Sequence, residues 1–278
     1  MKTNEIKAED HLLSKKEFTV LFDHNQGIGQ TQIPTNFDAN AFYPNENYAS
    51  HQDQKKGLIG VAYNIIQHLM LRYKFSIIKQ YSQGNSILDI GGGTGTFASF
   101  FKKKGFDVTL TEPNNRARIQ ASHKGLLTFP TPTDLPPQSA YSTLTLWHVF
   151  EHLPTPQKAL QNYHKLLKNK GLLLLALPNY DSFDATYYQE YWAALDVPRH
   201  LWHYTPKGIT SLVSEKGFRF QKSYPLWFDA FYIAYLSEQY RKSKFPLLRG
   251  FFIGLFSNLS ALFTGQYSSL IYIFRKED

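Results

Sequence analysis

The chain has 278 residues, 42% of them hydrophobic and 19% charged, with a formal net charge of +8; this is the balance of a folded globular chain and too apolar for a disordered one. It contains no cysteine, which excludes disulfides, thiolate metal sites and cysteine nucleophiles. Its basic residues are spread along the chain, and the densest run, Lys102 to Lys104, closes an apolar helical stretch where it complements the helix dipole, so the charge is not read as a nucleic-acid surface.

The opening, "MKTNEIKAEDHLLSKK", is charged and lacks the apolar core of a signal peptide, and a cytoplasmic location is expected. Residues 1–55 show no sustained period and are expected to form loops, with at most a short hairpin, packed on the rest as an N-terminal extension. From Lys56 to Tyr81 the apolar positions Ile59, Ala62, Ile65, Ile66, Leu69, Met70 and Tyr73 recur at three and four, which predicts one long helix or two consecutive ones.

After Tyr81 the texture alternates. "SILDI", "DVTLT", "LLTF", "YSTLTLW" and "LLLLALPN" read as five short buried strands. The segments between them, among them "GTFASFFKKKG" and "TPQKALQNYHKLLKNKG", read as helices closed by glycine. Strand–helix alternation predicts right-handed crossovers and a parallel sheet. Beyond Asn179 comes an aromatic, polar loop region, then a helix, a sixth strand "FRFQKSY", a largely helical insertion at 226–266, and a last strand "SSLIYIFRKED". The most apolar stretch, Phe245 to Gly265, is interrupted by Arg249 and by Ser257, Asn258, Ser260 and Thr264. It falls short of the roughly 20 apolar residues of a spanning helix and is expected to pack on the domain or cover a pocket, membrane-surface contact being the less favoured alternative.

The strongest local signal is "LDIGGGTGTF", a glycine turn after a strand and before a helix, the setting of a nucleotide-binding loop. No lysine follows, which excludes a P-loop. A dinucleotide fingerprint wants a third glycine where Thr96 stands. That weakens the dinucleotide reading, and S-adenosylmethionine is the third candidate, its sulfonium and amino groups suiting a nearby carboxylate such as Asp89 better than a pyrophosphate does. Glu112 ends the second strand, where a carboxylate accepts ribose hydroxyls. Asp134, after the third strand, is either an adenine contact or a turn residue among prolines.

Three segments carry a resemblance: "ILDIGGGTGTFASFFKKKGFDVTLTEPN", "LTLWHVFEHLPTPQKALQNYHKLLKNKGLLLLALPN" and "DVPRHLWHYTPKGITSLVSEKGF". Over about residues 56–225 the chain resembles class I S-adenosylmethionine-dependent methyltransferases, in character nearest the small-molecule branch that includes the ubiquinone-biosynthesis O-methyltransferases. The resemblance implies an α/β fold: a seven-stranded, mostly parallel Rossmann-like sheet with a reversed last strand, residues 56–278 forming the methyltransferase domain. It places Asp89, Gly91, Gly92, Gly93 and Gly95 on the methionine side of the cofactor, Glu112 and Pro113 at the ribose, and Trp147 and His148 at the rim. S-adenosylhomocysteine would be the product.

His148 either takes a proton from a hydroxyl acceptor or bonds the backbone or cofactor. The loop "DVPRHLWHYTP" gathers Asp196, Arg199, His200 and His203. Arg199 and His200 are candidate catalytic residues, Arg199 holding an anionic substrate group, unless the loop is a structural hydrogen-bond cluster. Tyr43, Tyr48 and His51 are expected to close over the cofactor. Trp227, Phe228, Phe231 and Tyr232 would wall the other side, favouring a small-molecule acceptor with an apolar part. Two departures from the family bear on this. Many relatives carry an acid where Ser142 stands, which keeps a non-catalytic cofactor-binding protein as the alternative. Some carry a cysteine zinc ribbon that this chain lacks. Finally, His148, Glu151 and His152 spell H-x-x-E-H, a zinc-peptidase pattern; it needs a helix, whereas strand precedes it and Pro154 and Pro156 follow, so no metal is assigned. No Asn/Asp-Pro-Pro-aromatic motif suggests a nucleic-acid substrate.

Overall fold

The computed structural model describes residues 3–34 and 58–277. At its centre is a seven-stranded sheet. Strands β4 (Ser86–Ile90), β5 (Asp107–Thr111), β6 (Leu127–Phe129), β7 (Tyr141–Trp147) and β8 (Leu167–Pro178) are joined by parallel pairings, and β11 (Ser269–Lys276) runs antiparallel between β8 and β10 (Phe218–Pro225). The order is β10-β11-β8-β7-β4-β5-β6. This is the mostly parallel α/β sheet with a reversed last strand that the sequence predicted. The chain runs outward from β4 to β6 and then returns to β7 on the other side of β4. That reversal opens a crevice beyond the carboxyl ends of β4 and β7, the place where such sheets bind ligands.

Strand alternation explains the two cores. Leu88, Leu173, Leu175 and Phe274 point to one face, where they meet Leu160 and Ile209 of the helices α4 (Pro156–Leu166) and α6 (Pro206–Ser214). Their neighbours Ile87, Leu172, Leu174 and Ile273 point to the other, against Ile77 and Ile78 of α1 (Leu58–Tyr81) and Phe97 and Phe101 of α2 (Thr96–Lys103). Both faces are covered, so the strands are apolar throughout. The helical pattern from Lys56 onward resolves as the single helix α1. The helix α3 (Asn115–His123) follows β5.

Two expectations are corrected. Residues 3–34 are not loops: β1 (Thr3–Glu9), β2 (Glu17–Asp23) and β3 (Ile28–Thr31) form an antiparallel sheet completed by β9 (Trp202–Tyr204), in the order β1-β2-β3-β9. Its alternation is visible in β2, where Phe18, Val20 and Phe22 are buried, but the partner strand lies far away in the sequence. The helix expected to run to Gly171 instead stops at Leu166. Buried Leu167 pairs with Tyr141 at the edge of the main sheet, so tertiary pairing overrides the local helical pattern.

The 226–266 segment forms two antiparallel helices, α7 (Trp227–Tyr240) and α8 (Pro246–Thr264). They approach closely because a Cβ at Gly250 would lie 2.7 Å from Tyr235 Cα, and one at Gly254 2.9 Å from Phe231 Cα. Between them and the N-terminal sheet lies α5 (Phe183–Tyr188) with Trp192 and Leu195 in a third apolar cluster. The lid role read for Tyr43, Tyr48 and His51 falls outside the described residues.

Candidate active site

The glycine turn sits at the mouth of the crevice. Gly91 and Gly92 both donate backbone N–H groups to the Thr111 carbonyl, at 2.7 and 3.2 Å, which ties the end of β4 to the end of β5. Gly92 covers Asp89: a Cβ there would meet the Asp89 Oδ2 at 2.6 Å. Gly93 has φ +56°, and a Cβ built on it would meet nothing within 4 Å. The backbone therefore turns through a left-handed conformation and presents an open surface, as close approach by a ligand requires.

Asp89 is fully buried. Its Oδ1 accepts a hydrogen bond from the Thr145 hydroxyl at 2.7 Å, while Oδ2 has no hydrogen-bond partner. Burial pushes the carboxyl up to about 7, against the Thr145 hydrogen bond and the charge of Lys74. An orphaned buried carboxylate oxygen is costly and suits a cationic ligand. Lys74, from α1, already supplies a cation to this spot: its Nζ lies 3.8 Å from the centroid of the Trp147 ring. Burial pushes that ammonium down to about 8 despite Asp229 and Asp89. The crevice thus sets the Lys74 ammonium against an aromatic face, in the field of Asp89 and Asp229.

Glu112 is folded under the glycine turn. Its Oε2 accepts the Gly93 N–H at 2.9 Å and its Oε1 the Asn114 N–H at 2.8 Å. Burial raises its carboxyl against these two bonds. Each oxygen keeps a further lone pair for a hydroxyl. Pro113 is exposed beside it, and its carbonyl accepts from Arg118.

At the other lip, His148 ends β7 with φ +53°, an uncommon conformation for a non-glycine residue. Its Nε2 donates to Asp229 Oδ2 at 3.1 Å, and its Nδ1 lies 3.6 Å from Glu151 Oε1. Burial disfavours the charged imidazole, but the hydrogen bond to Asp229 and the negative charges of Asp229 and Glu151 outweigh it and hold the group up at about 10. At neutral pH His148 is an imidazolium gripped by two carboxylates, not a free base.

The profile of one family, described as a methyltransferase domain, matches residues 66–223, more than half of the chain. The chain belongs to this methyltransferase-domain family. A ubiquinone biosynthesis O-methyltransferase from Actinobacillus pleuropneumoniae is 29% identical over 128 residues, covering 40% of this chain and 55% of that protein. The chain thus spans about half the length of the curated relative it matches. Among solved structures, a magnesium protoporphyrin IX methyltransferase from Synechocystis with bound S-adenosylhomocysteine superposes with a TM-score of 0.53 at 12% identity, over 86% of this chain and 92% of that one. A cyclopropane synthase from Mycobacterium tuberculosis does so with a TM-score of 0.51 at 13% identity, over 73% and 83%. At such identities the likeness is one of fold. S-adenosylmethionine is the cofactor of the methyltransferase family, and the residues present fit it: an orphaned buried carboxylate for its cationic side, an open glycine turn, and a carboxylate with free lone pairs at the end of β5.

Within the methyltransferase domain, the other candidates divide. Asp134 takes the turn role: its Oδ2 accepts from Thr131 N and Oγ1, closing a capping box. Arg199 takes the structural role: it is buried, with Nε 2.9 Å and Nη2 2.6 Å from Asp196 Oδ1, and Nη2 3.0 Å from Asp10 Oδ1. It locks the turn after β1 to the 196–200 loop. His200 Nδ1 donates to the Ala194 carbonyl at 2.8 Å, and its Nε2 faces Glu151 at 3.9 Å. It reaches the site only through Glu151. His203 Nε2 lies 2.9 Å from the Thr31 hydroxyl, which itself donates to the His200 carbonyl, so the histidine is the donor.

The H-x-x-E-H residues fall on a strand end and a single 3-10 turn at Phe150–His152, so the two histidines share no helical face. Glu151 is nevertheless a hub. It is buried, neither oxygen has a hydrogen-bond partner, and the surrounding histidines hold it down at about 2 against the opposing effect of burial. Glu151, His152 and His200 bring one donor atom each within 4.8 Å of one another, and the charged His148 faces the same carboxylate at 3.6 Å.

Ser142 lies away from the crevice. Its hydroxyl and N–H bond Ser86 at the amino ends of β7 and β4, opposite the crevice, so an acid missing there takes nothing from the chemistry. The residues that sequence reasoning missed are Lys74 and Asp229. Lys74 interrupts the apolar row Ile66, Met70 and Ile77 at helical spacing, a signal that was available. Asp229, an acid in the first turn of an aromatic helix, gave none that pointed to His148.

Proposed function

We propose that this protein transfers a methyl group from S-adenosylmethionine to a small-molecule acceptor with an apolar part. The observation that carries the reading is the crevice between β4 and β7, where the open turn at Gly93, the orphaned Asp89 oxygen and Glu112 converge. S-adenosylmethionine supplies an electrophilic methyl group when bound. Asp89 and the turn Gly91–Gly95 would hold its charged methionine side, in the field that Lys74 now balances. Glu112 would take the ribose hydroxyls with the lone pairs left by Gly93 and Asn114, and Trp147 would form the wall.

Asp229 and Glu151 face both ring nitrogens of His148 and keep the imidazole charged, so it would shape the acceptor side of the crevice rather than deprotonate the acceptor. Alignment and exclusion of water supply the acceleration. Incubation with S-adenosylmethionine and a panel of hydroxylated, partly apolar acceptors, with S-adenosylhomocysteine detected by mass spectrometry, tests this. Turnover of at least one acceptor is expected. Binding of the cofactor with no turnover on any of them would favour a binding protein instead.

A further inference from the structure

Helix α8 inverts the usual rule of a surface helix. The face turned to the protein carries small residues, Gly250, Gly254, Ser257 and Ala261, all buried. The face turned outward carries Leu247, Leu248, Phe252, Phe256, Leu262 and Phe263, with Leu247 72% and Phe263 92% exposed. Soluble surface helices place their large apolar residues inward, and contiguous exposed apolar patches mark contact sites. We propose that α8 docks this protein on an anionic lipid surface, its outer face lying in the headgroup–acyl boundary.

Charge selects lipid over a second copy of the chain. Between Tyr240 and Gly265 stand Arg241, Lys242, Lys244 and Arg249, and no acid; Arg249 is paired with Glu238 of α7, which leaves the two lysines to face the headgroups. Lys242 and Lys244 are exposed in the turn that leads into the apolar face. That combination, an apolar helix face with flanking cations, is what anionic headgroups attract. A second α8 would bring no acid to pair with them.

Geometry selects lying on the surface over crossing it. At about 1.5 Å per residue the helix is long enough to span a bilayer core. But it is tied down along its length. Gly250 and Gly254 abut the α7 backbone, the Ser257 hydroxyl donates to buried Asp184 at 2.7 Å, and Asn258 donates to the Trp227 carbonyl at 2.9 Å. The last contact places the docked helix two residues from Asp229, the partner of His148. The crevice therefore opens beside the lipid surface, and the acceptor class that follows is one dissolved in the membrane. That last step rests on the methyl-transfer reading; the docking does not.

The test is flotation of the full-length protein with vesicles of phosphatidylcholine alone, or of phosphatidylcholine mixed with phosphatidylglycerol. The wild type should float with the anionic vesicles, less with the neutral ones, and less in high salt. A triple substitution, Leu247→Glu with Phe252→Glu and Phe263→Glu, should lower binding at least tenfold while circular dichroism is unchanged, because all three side chains are exposed. Lys242→Glu with Lys244→Glu should lower binding to the anionic vesicles alone, and carries the test if the triple variant does not fold. Three results would overturn the proposal: no flotation of the wild type, flotation unaffected by either variant set, or a wild-type dimer in light scattering that the triple substitution converts to monomer. Calorimetry with S-adenosylhomocysteine on the same samples separates the two readings: a protein that floats but binds no cofactor keeps the docking and loses the methyl transfer.

Discussion

Two ionisable side chains at the crevice behave oppositely to their usual selves, and each gives a prediction. His148 is raised above its ordinary value by Asp229 and Glu151. The ion pairs that hold it are complete below the unfolded value near 6.5 and are lost only as pH rises through about 10. Its imidazole resonances should therefore not titrate between neutral and mildly alkaline pH. In Asp229→Asn the larger partner is neutral, and a titration should appear close to the ordinary range; an unchanged profile in that variant would refute the assignment. Asp89 is raised to about 7 by burial, so its neutral form favours the fold, and that contribution fades as pH rises from the unfolded value through about 7. A cationic ligand selects the ionised form. Cofactor affinity should rise as pH increases through 7, with proton release visible as a buffer-dependent heat. Asp89→Asn should weaken binding yet melt higher than wild type at alkaline pH, and at the same temperature near pH 4. The glycine turn, Asp89 and Glu112 were legible in the sequence because strand, turn and acid are local to one βα unit. Lys74 and Asp229 were not, because they reach the crevice from helices that only tertiary packing brings there.

At the scale of elements, the 196–200 loop shows how a dense run of charged residues leaves two readings open. Arg199 and His200 read either as catalytic residues, Arg199 holding an anionic substrate group, or as parts of a structural hydrogen-bond cluster. The partner that explains Arg199 is Asp10, 189 positions away, on an N-terminal segment whose own strands were hidden by their dependence on β9. A buried pair that loses one member leaves an uncompensated charge, which costs about 3–5 kcal/mol. Arg199→Met should lower the unfolding free energy by about that amount in urea titrations while leaving cofactor affinity within a factor of two. Arg199→Lys, which keeps a charge between Asp10 and Asp196, should lose less stability than Arg199→Met. A loss of cofactor affinity with unchanged stability would instead return Arg199 to the binding machinery. The α7–α8 pair was legible as helical, but its orientation was not: apolar residues on every side give no moment to say which face is buried, and only the Gly250–Gly254–Ser257–Ala261 stripe fixes it.

For the whole molecule, strand alternation and glycine-closed helices made the sheet readable, and the reversed last strand followed from the resemblance. Function turns on whether the crevice between β4 and β7 is an S-adenosylmethionine site built on the open turn at Gly93. Calorimetric titration with S-adenosylmethionine and S-adenosylhomocysteine, on wild type and on Gly93→Asn, tests it most directly. Asparagine tolerates a left-handed backbone and meets no protein atom near its Cβ, so the variant should fold and melt as wild type does. One-to-one binding of both ligands by wild type and at least tenfold weaker binding by the variant are expected. Absence of binding at millimolar ligand, or equal binding by the two proteins, would contradict that assignment of the crevice.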